Sequence, residues 1–196
     1  MGNKASASVM NARRGCIVVI VVALLQGAAA FGVVFNVNEA AVNRLEVSAP
    51  ESRKDCAYLG LANHDAFHLS QIKTQILLVE IFNMYCPVCQ REAPRVNELY
   101  DLIKRNRDLK EKVRFIGIGV GNTPFEVGVF KKKFGVPFPL IPDEDFSLTK
   151  ISKQRIRTPT FLVLRLHAGR DAKVVRVHVG GIQDLAGFTK ALQQAW

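Results

Sequence analysis

Cys86 and Cys89 stand three positions apart in the run Val79-Glu80-Ile81-Phe82-Asn83-Met84-Tyr85-Cys86-Pro87-Val88-Cys89-Gln90-Arg91-Glu92-Ala93-Pro94. Two thiols at that spacing can close into a small disulfide ring and reopen it, which is redox chemistry. The run passes from an apolar strand pattern to an amphipathic helix pattern, so the thiols fall at a helix start. Unpaired backbone N–H groups and the helix dipole there favour a thiolate on the first sulfur. Cys86 is therefore the expected nucleophile, and Cys89, one turn further in and more buried, the resolving thiol. Glu80 rides on the apolar strand. Desolvation there raises a carboxyl pKa and suits it to exchange a proton with Cys89 near neutrality. The other reading of Glu80 is a strand carboxylate facing solvent or a basic partner.

The elements that must hold these residues follow from pattern. Ile76 to Phe82 is nearly all apolar, as expected of a central strand covered on both faces. Val96, Leu99, Leu102 and Ile103 recur at helical spacing after the cysteines, and Pro94 falls about two turns into that helix, where a kink is expected. Val113 to Gly119 is a second strand. Thr123 and Pro124 suit a helix start, and the helix over 125–134 is closed by Gly135. The segment 136–143 is extended and too rich in proline to be central. A short helix over 147–154, strands over 161–166 and 174–179 joined by a turn at 168–170, and a closing helix over 183–196 complete the order. This is an α/β chain: a mixed central sheet with helices on both faces and a helix inserted before the loop at Pro159.

Length bounds the chain to one domain, and 48% hydrophobic residues in 196 suffice for a core. Residues 1–30 hold Lys4, Arg13 and Arg14 with no acid, then an apolar run from Ile17 to Leu25, then small residues ending at Ala30. They read as a signal peptide cleaved before Phe31 or, if the apolar stretch to Phe35 is kept, as an N-terminal membrane anchor. Either way the expectation is export, to the periplasm or the outer face of the inner membrane. Residues 31–66 read as a tether followed by an edge element, and 67–196 as the folded domain. The formal charge is +10. Clusters such as Lys131-Lys132-Lys133 lack interleaved aromatics and any nucleic-acid module, so no nucleic-acid partner is expected. Beyond the leader an odd number of cysteines remains, with Cys56 expected to be a buried or idle thiol.

The element order and its junction residues resemble the thioredoxin-like superfamily, most closely the exported TlpA-like redoxins. Cys86-Pro87-Val88-Cys89 matches the redox motif and Pro94 the helix-kinking proline. Glu80 matches the buried acid, and Arg157-Thr158-Pro159-Thr160-Phe161 the loop whose proline is cis. The resemblance implies a thiol-disulfide oxidoreductase with no cofactor. Its implied partners are protein disulfides and a membrane electron donor that re-reduces the site, with maturation of cytochrome c or copper proteins as the implied setting. It implies that Thr158 and Pro159 hold the substrate chain, with Tyr85 beside them at the position where the family usually carries tryptophan. Pro87 and Val88 differ from the Gly-Pro of thioredoxin. They tune the Cys86 thiolate, so no potential carries over from a range of about −270 to −120 mV. Arg157 is a further candidate for stabilising that thiolate.

Two rivals use the same thiols. A peroxiredoxin-like peroxidase needs Pro-x-x-x-Thr-x-x-Cys; Phe82 and Cys86 stand at those positions ahead of Cys89, and Val79 and Asn83 ahead of Cys86, so the hydroxyl that orients peroxide is missing. A Cu(I)-binding metallochaperone is compatible with two soft thiolates. However, His64, His68, His167 and His178 are scattered, and no metal site is expected.

Overall fold

Seven consecutive residues, Ile76–Phe82, form strand β3 with every side chain buried, because this strand lies in the middle of the sheet. In the computed structural model, which describes residues 39–62, 65–152, 155–168 and 170–195, the elements run in chain order as follows. Helix α1 (Glu39–Arg44), strand β1 (Glu46–Val47), helix α2 (Arg53–Leu59) and strand β2 (Phe67–His68) precede β3. Helix α3 (Pro87–Arg105), strand β4 (Val113–Val120), helix α4 (Pro124–Phe134), strand β5 (Leu140–Asp143) and helix α5 (Ser147–Ser152) follow it. Strands β6 (Thr160–Arg165) and β7 (Lys173–Val179) and helix α6 (Leu185–Gln193) close the chain. The main sheet has the order β5-β4-β3-β6-β7. β3, β4 and β5 are parallel, and β6 and β7 antiparallel to their neighbours. The proline-rich 136–143 segment takes the edge as β5, where Pro142 can be accommodated.

Alternation along β3 divides the core. Ile76, Leu78 and Phe82 face a cluster built with Cys89, Val96, Leu99 and Ile103 of α3 and with residues of α4 and α6. Leu77, Val79 and Ile81 face a second cluster that includes Val42, Leu45, Leu59 and Leu148. Period two places Glu80 on the first face, the side covered by α3. Each fully buried large apolar side chain contributes about 1.5–3 kcal/mol, so both faces need their cover.

Part of that cover comes from the described residues of 31–66, the segment expected as a tether followed by an edge element. From Glu39 onward the chain is folded: α1, α2 and the β1–β2 pair supply the cover for the second face. Tyr58 of α2 also accepts the Phe115 N–H of β4 through its hydroxyl at 3.0 Å, locking the segment to the sheet. The leader expected over 1–30 lies outside the described residues.

Local signals explain the two helices nearest the cysteines. α3 starts with Cys86 as N-cap and Pro87 in the first turn, and continues through Pro94 to Lys104 and Arg105, whose charges suit the C-terminal dipole. Pro94 removes the N–H that would bond the Gln90 carbonyl. α4 starts with a capping box in which Thr123 accepts from the Glu126 N–H while Glu126 accepts from the Thr123 N–H, and ends on Gly135 at φ 60°. Gly117 and Gly119 of β4 have a packing role: a Cβ at Gly119 would stand 2.9 Å from Val127 and 3.1 Å from the Phe82 ring.

Candidate active site

Cys86 lies at the C-terminal edge of the parallel strands, where β3 turns into α3. Two asparagines fix the approach. Asn83 donates to the Val120 carbonyl at 2.7 Å and accepts from the Tyr85 N–H at 2.9 Å. The buried Asn122 accepts the Met84 N–H at 2.8 Å. The loop carrying Tyr85 and Cys86 is thereby fastened to the end of β4.

The two sulfurs sit in opposite environments. Cys86 is partly exposed; its Sγ accepts the Cys89 N–H at 3.3 Å and donates to the Thr158 carbonyl at 3.3 Å. Burial pushes its pKa up, but hydrogen bonds from the Cys89 and Thr158 side chains and from the Cys89 and Val88 amides outweigh burial. The net shift is downward. Cys89 is buried, and desolvation together with the neighbouring Cys86 sulfur pushes its pKa strongly up. Glu80 is buried as well. Desolvation, then the charge of Cys86, then that of Glu92 raise its pKa to about 8. A carboxyl so placed holds its proton through most of the neutral range yet can exchange it there.

The Thr158–Pro159 peptide bond is cis. Pro159 is buried, and its carbonyl accepts the Gly180 N–H at 2.8 Å, which ties this loop to the end of β7. Arg157, two residues before that proline, carries an exposed side chain. Its place in the loop is held through the carbonyl, which accepts from the Thr160 hydroxyl at 2.6 Å. Pro87 occupies the first turn of α3, and Val88 acts on Cys86 through its amide. Tyr85 is exposed, and its hydroxyl donates to the Glu126 carboxylate of α4.

The sequence reading did not single out Glu92, Asn122 or Glu126. Glu92 stands three residues past Cys89, one turn along the same helix face. That spacing was the signal that could have found it. Among the described residues its buried Oε2 has no hydrogen-bond partner, and a Cβ at Gly181 would collide with its carboxylate. Arg95, also on α3, donates to the Ile182 and Gln183 carbonyls and holds that loop against the helix. Cys56 is distinct from the pair: it is buried and donates to the Pro50 carbonyl at 3.1 Å. Among the described residues no group of three or more His, Cys, Asp or Glu side chains could hold a metal ion.

A family model described as Redoxin matches residues 46–192. The thiol-disulfide oxidoreductase ResA of Halalkalibacterium halodurans is 26% identical over 121 residues, which are 61% of this chain and 62% of that protein. The chain thus spans about three-fifths of the length of the curated relatives it matches. Among solved structures, MTB DsbF in its mixed oxidized and reduced forms superposes with a TM-score of 0.56 at 17% identity, covering 80% of this chain and 98% of its own. A secreted Mycobacterium tuberculosis disulfide oxidoreductase homologous to E. coli DsbE superposes with a TM-score of 0.53 at 14% identity, covering 80% and 99%. These likenesses establish the thioredoxin-like fold.

Proposed function

The chain belongs to the Redoxin family, and from that premise we propose that it is a thiol-disulfide oxidoreductase that exchanges disulfides with protein substrates through Cys86 and Cys89. The observation that carries this reading is the division of labour between the thiols. Cys86 is accessible with a lowered pKa, Cys89 is buried with a raised one, and the charge of Cys86 acts on the buried Glu80, whose pKa is raised to about 8.

In the reductive direction the Cys86 thiolate attacks one sulfur of a substrate disulfide. A Cys86–substrate S–S bond forms, the substrate's own S–S bond breaks, and one substrate thiolate leaves. The substrate strand lies along Thr158 and Pro159, with Tyr85 beside it. Cys89 then loses its proton, with the ionised fraction of Glu80 as acceptor, and attacks the Cys86 sulfur. The Cys86–Cys89 disulfide forms and the second substrate thiolate departs. Two electrons pass from the protein to the substrate, and the reverse sequence oxidises a dithiol. Pro87 and Val88 set how readily the pair gives up its electrons, and Arg157, exposed beside the loop, is placed to meet an incoming chain or to stabilise the Cys86 thiolate.

The composition of the leader supports an extracytoplasmic site of action, with residues 1–30 serving as signal or tether, and the secreted Mycobacterium tuberculosis oxidoreductase that shares this fold is consistent with it. A membrane electron donor would restore the dithiol, and the clients would be proteins such as maturing cytochromes c or copper proteins. The test is trapping. Cys89→Ser should accumulate a mixed disulfide between Cys86 and a disulfide-bearing protein, and Cys86→Ser should accumulate none. Failure of Cys89→Ser to form any adduct overturns the reading.

A further inference from the structure

Each of the three parallel strands ends, at the edge that carries Cys86, in a loop or helix start that presents an aromatic ring to solvent. Tyr85 follows β3 and is 65% exposed, Phe125 follows β4 and is 78% exposed, and Phe146 follows β5 and is 49% exposed. Large exposed apolar side chains on a protein surface are informative when they gather. Among the described residues, these rings are three of the four such side chains, and the fourth is Val175 of β7.

The presentation is built. Phe146 is a non-glycine residue at φ 56°, a left-handed conformation that is costly for a bulky side chain and persists where the surroundings enforce it. Its ring lies over Gly121, itself at φ 67°, where any Cβ would collide with the ring. Gly121 is one residue before Asn122, which holds the Met84 N–H of the Cys86 loop. Tyr85 is moored to Glu126, the residue after Phe125. The rings are therefore tied through one backbone segment, 121–126, to the loop that delivers the nucleophile.

Charge adds a second observation. In a chain of net charge +10, this rim is acidic. A hollow of about 310 Å³ beside Pro124 and Pro142 is lined by Glu46, Glu144 and Asp145 among others, and Glu126 stands at the Tyr85 end. An acidic hollow among exposed rings fits a lysine or arginine whose neighbours are apolar.

We propose that the rim of Tyr85, Phe125 and Phe146, with the acidic hollow between β5 and the start of α4, is the docking surface for the client polypeptide and selects segments whose cysteine is flanked by apolar and basic residues. This rests on the oxidoreductase reading. The client cysteine reaches Cys86 while its flanking residues extend away from Thr158 over the rings. The exchange is the one already written: the peptide S–S bond breaks, Cys86–Cys89 forms, and the two electrons come from the reduced protein.

The test compares two disulfide-linked peptide dimers of equal length, one with Leu and Lys around its cysteine and the other with Ser and Glu. Fully reduced full-length protein is mixed with each, and the rate of peptide-thiol release is followed in a single turnover. The ratio of the two rates cancels changes in Cys86 reactivity. The ratio should be fivefold or more in favour of the Leu/Lys peptide, and Phe125→Ser and Asp145→Lys should each lower it at least threefold. A ratio near one, or one that both substitutions leave at the wild-type value, overturns the docking surface while the oxidoreductase reading stands. Release from neither peptide overturns the oxidoreductase reading, and the docking surface with it. If the protein dimerises at micromolar concentration and Phe125→Ser abolishes the dimer without moving the ratio, the rim belongs to a second copy and the proposal fails.

Discussion

The buried Asn122 side chain accepts the Met84 N–H at 2.8 Å, so the loop before Cys86 hangs on the end of the neighbouring strand. Truncating Asn122 would leave that N–H without its acceptor in a half-buried loop. An unsatisfied buried donor costs about 1–3 kcal/mol. Asn122→Ala should therefore lower unfolding free energy by that amount in denaturant titration, with Asn122→Asp, which keeps an acceptor, losing less. Equal losses for the two variants would show that the hydrogen bond is not the source.

Cys86 and Cys89 should separate cleanly in reactivity. Because hydrogen bonds to its sulfur outweigh burial, Cys86 should reach half-maximal alkylation by iodoacetamide below the pH of an ordinary thiol, about 8.5. Cys89, desolvated beside it, should stay unmodified over the same range. Peptide mapping after timed quenching reads both. Comparable labelling of the two sulfurs at pH 7 would contradict the asymmetry on which the mechanism rests.

Glu80 ties stability to pH. Its pKa rises from the ordinary carboxyl value to about 8 on folding, so the folded state binds a proton that the unfolded state has released. Stability then falls as pH rises between the two values, by at most about 1.4 kcal/mol per pH unit, and levels off above the folded value. Relative to wild type, Glu80→Gln should gain stability progressively from about pH 4.5 to 8. Since the Cys86 charge is the second cause of the shift, oxidation to the disulfide should lower the Glu80 pKa and narrow that window. Glu92→Gln, removing the third cause, should narrow it slightly. A pH-independent difference between wild type and Glu80→Gln would refute the assignment.

Gly119 tests the packing beneath the site. An alanine methyl there meets a β-branched valine, a phenylalanine ring and the Cβ of Asn122 at 2.9 to 3.2 Å. Overpacking of this kind costs about 1–3 kcal/mol. Gly119→Ala should show that loss in thermal or chemical denaturation, whereas Gly128→Ala should show none, because a Cβ at Gly128 meets nothing within 4 Å. A neutral Gly119→Ala would mean that α4 is free to move away from the sheet.

What could be read from sequence was what is encoded locally. β3 and α3 announce themselves through an unbroken apolar run and helical spacing, and Thr123, Pro124 and Gly135 mark the ends of α4 by capping chemistry. The segment from Glu39 to Leu59 carries only the caps Ser52 and Gly60 of α2 as a local signal, because its helices of 6 and 7 residues are too short to stand alone and owe their form to burial against the sheet. Glu92 escaped attention for a related reason. Its buried carboxylate matters through Gly181 and the loop that Arg95 clamps, residues nearly ninety positions away.

If Cys86 and Cys89 are one reversible redox couple, their oxidation must be a single event. Purified protein equilibrated in glutathione or dithiothreitol buffers of stepped potential, then acid-quenched and thiol-trapped, gives the oxidised fraction directly. The expected result is one two-electron transition that consumes both thiols and leaves Cys56 reduced, with a midpoint between about −270 and −120 mV. Cys86 and Cys89 remaining as separate thiols at every potential would contradict it.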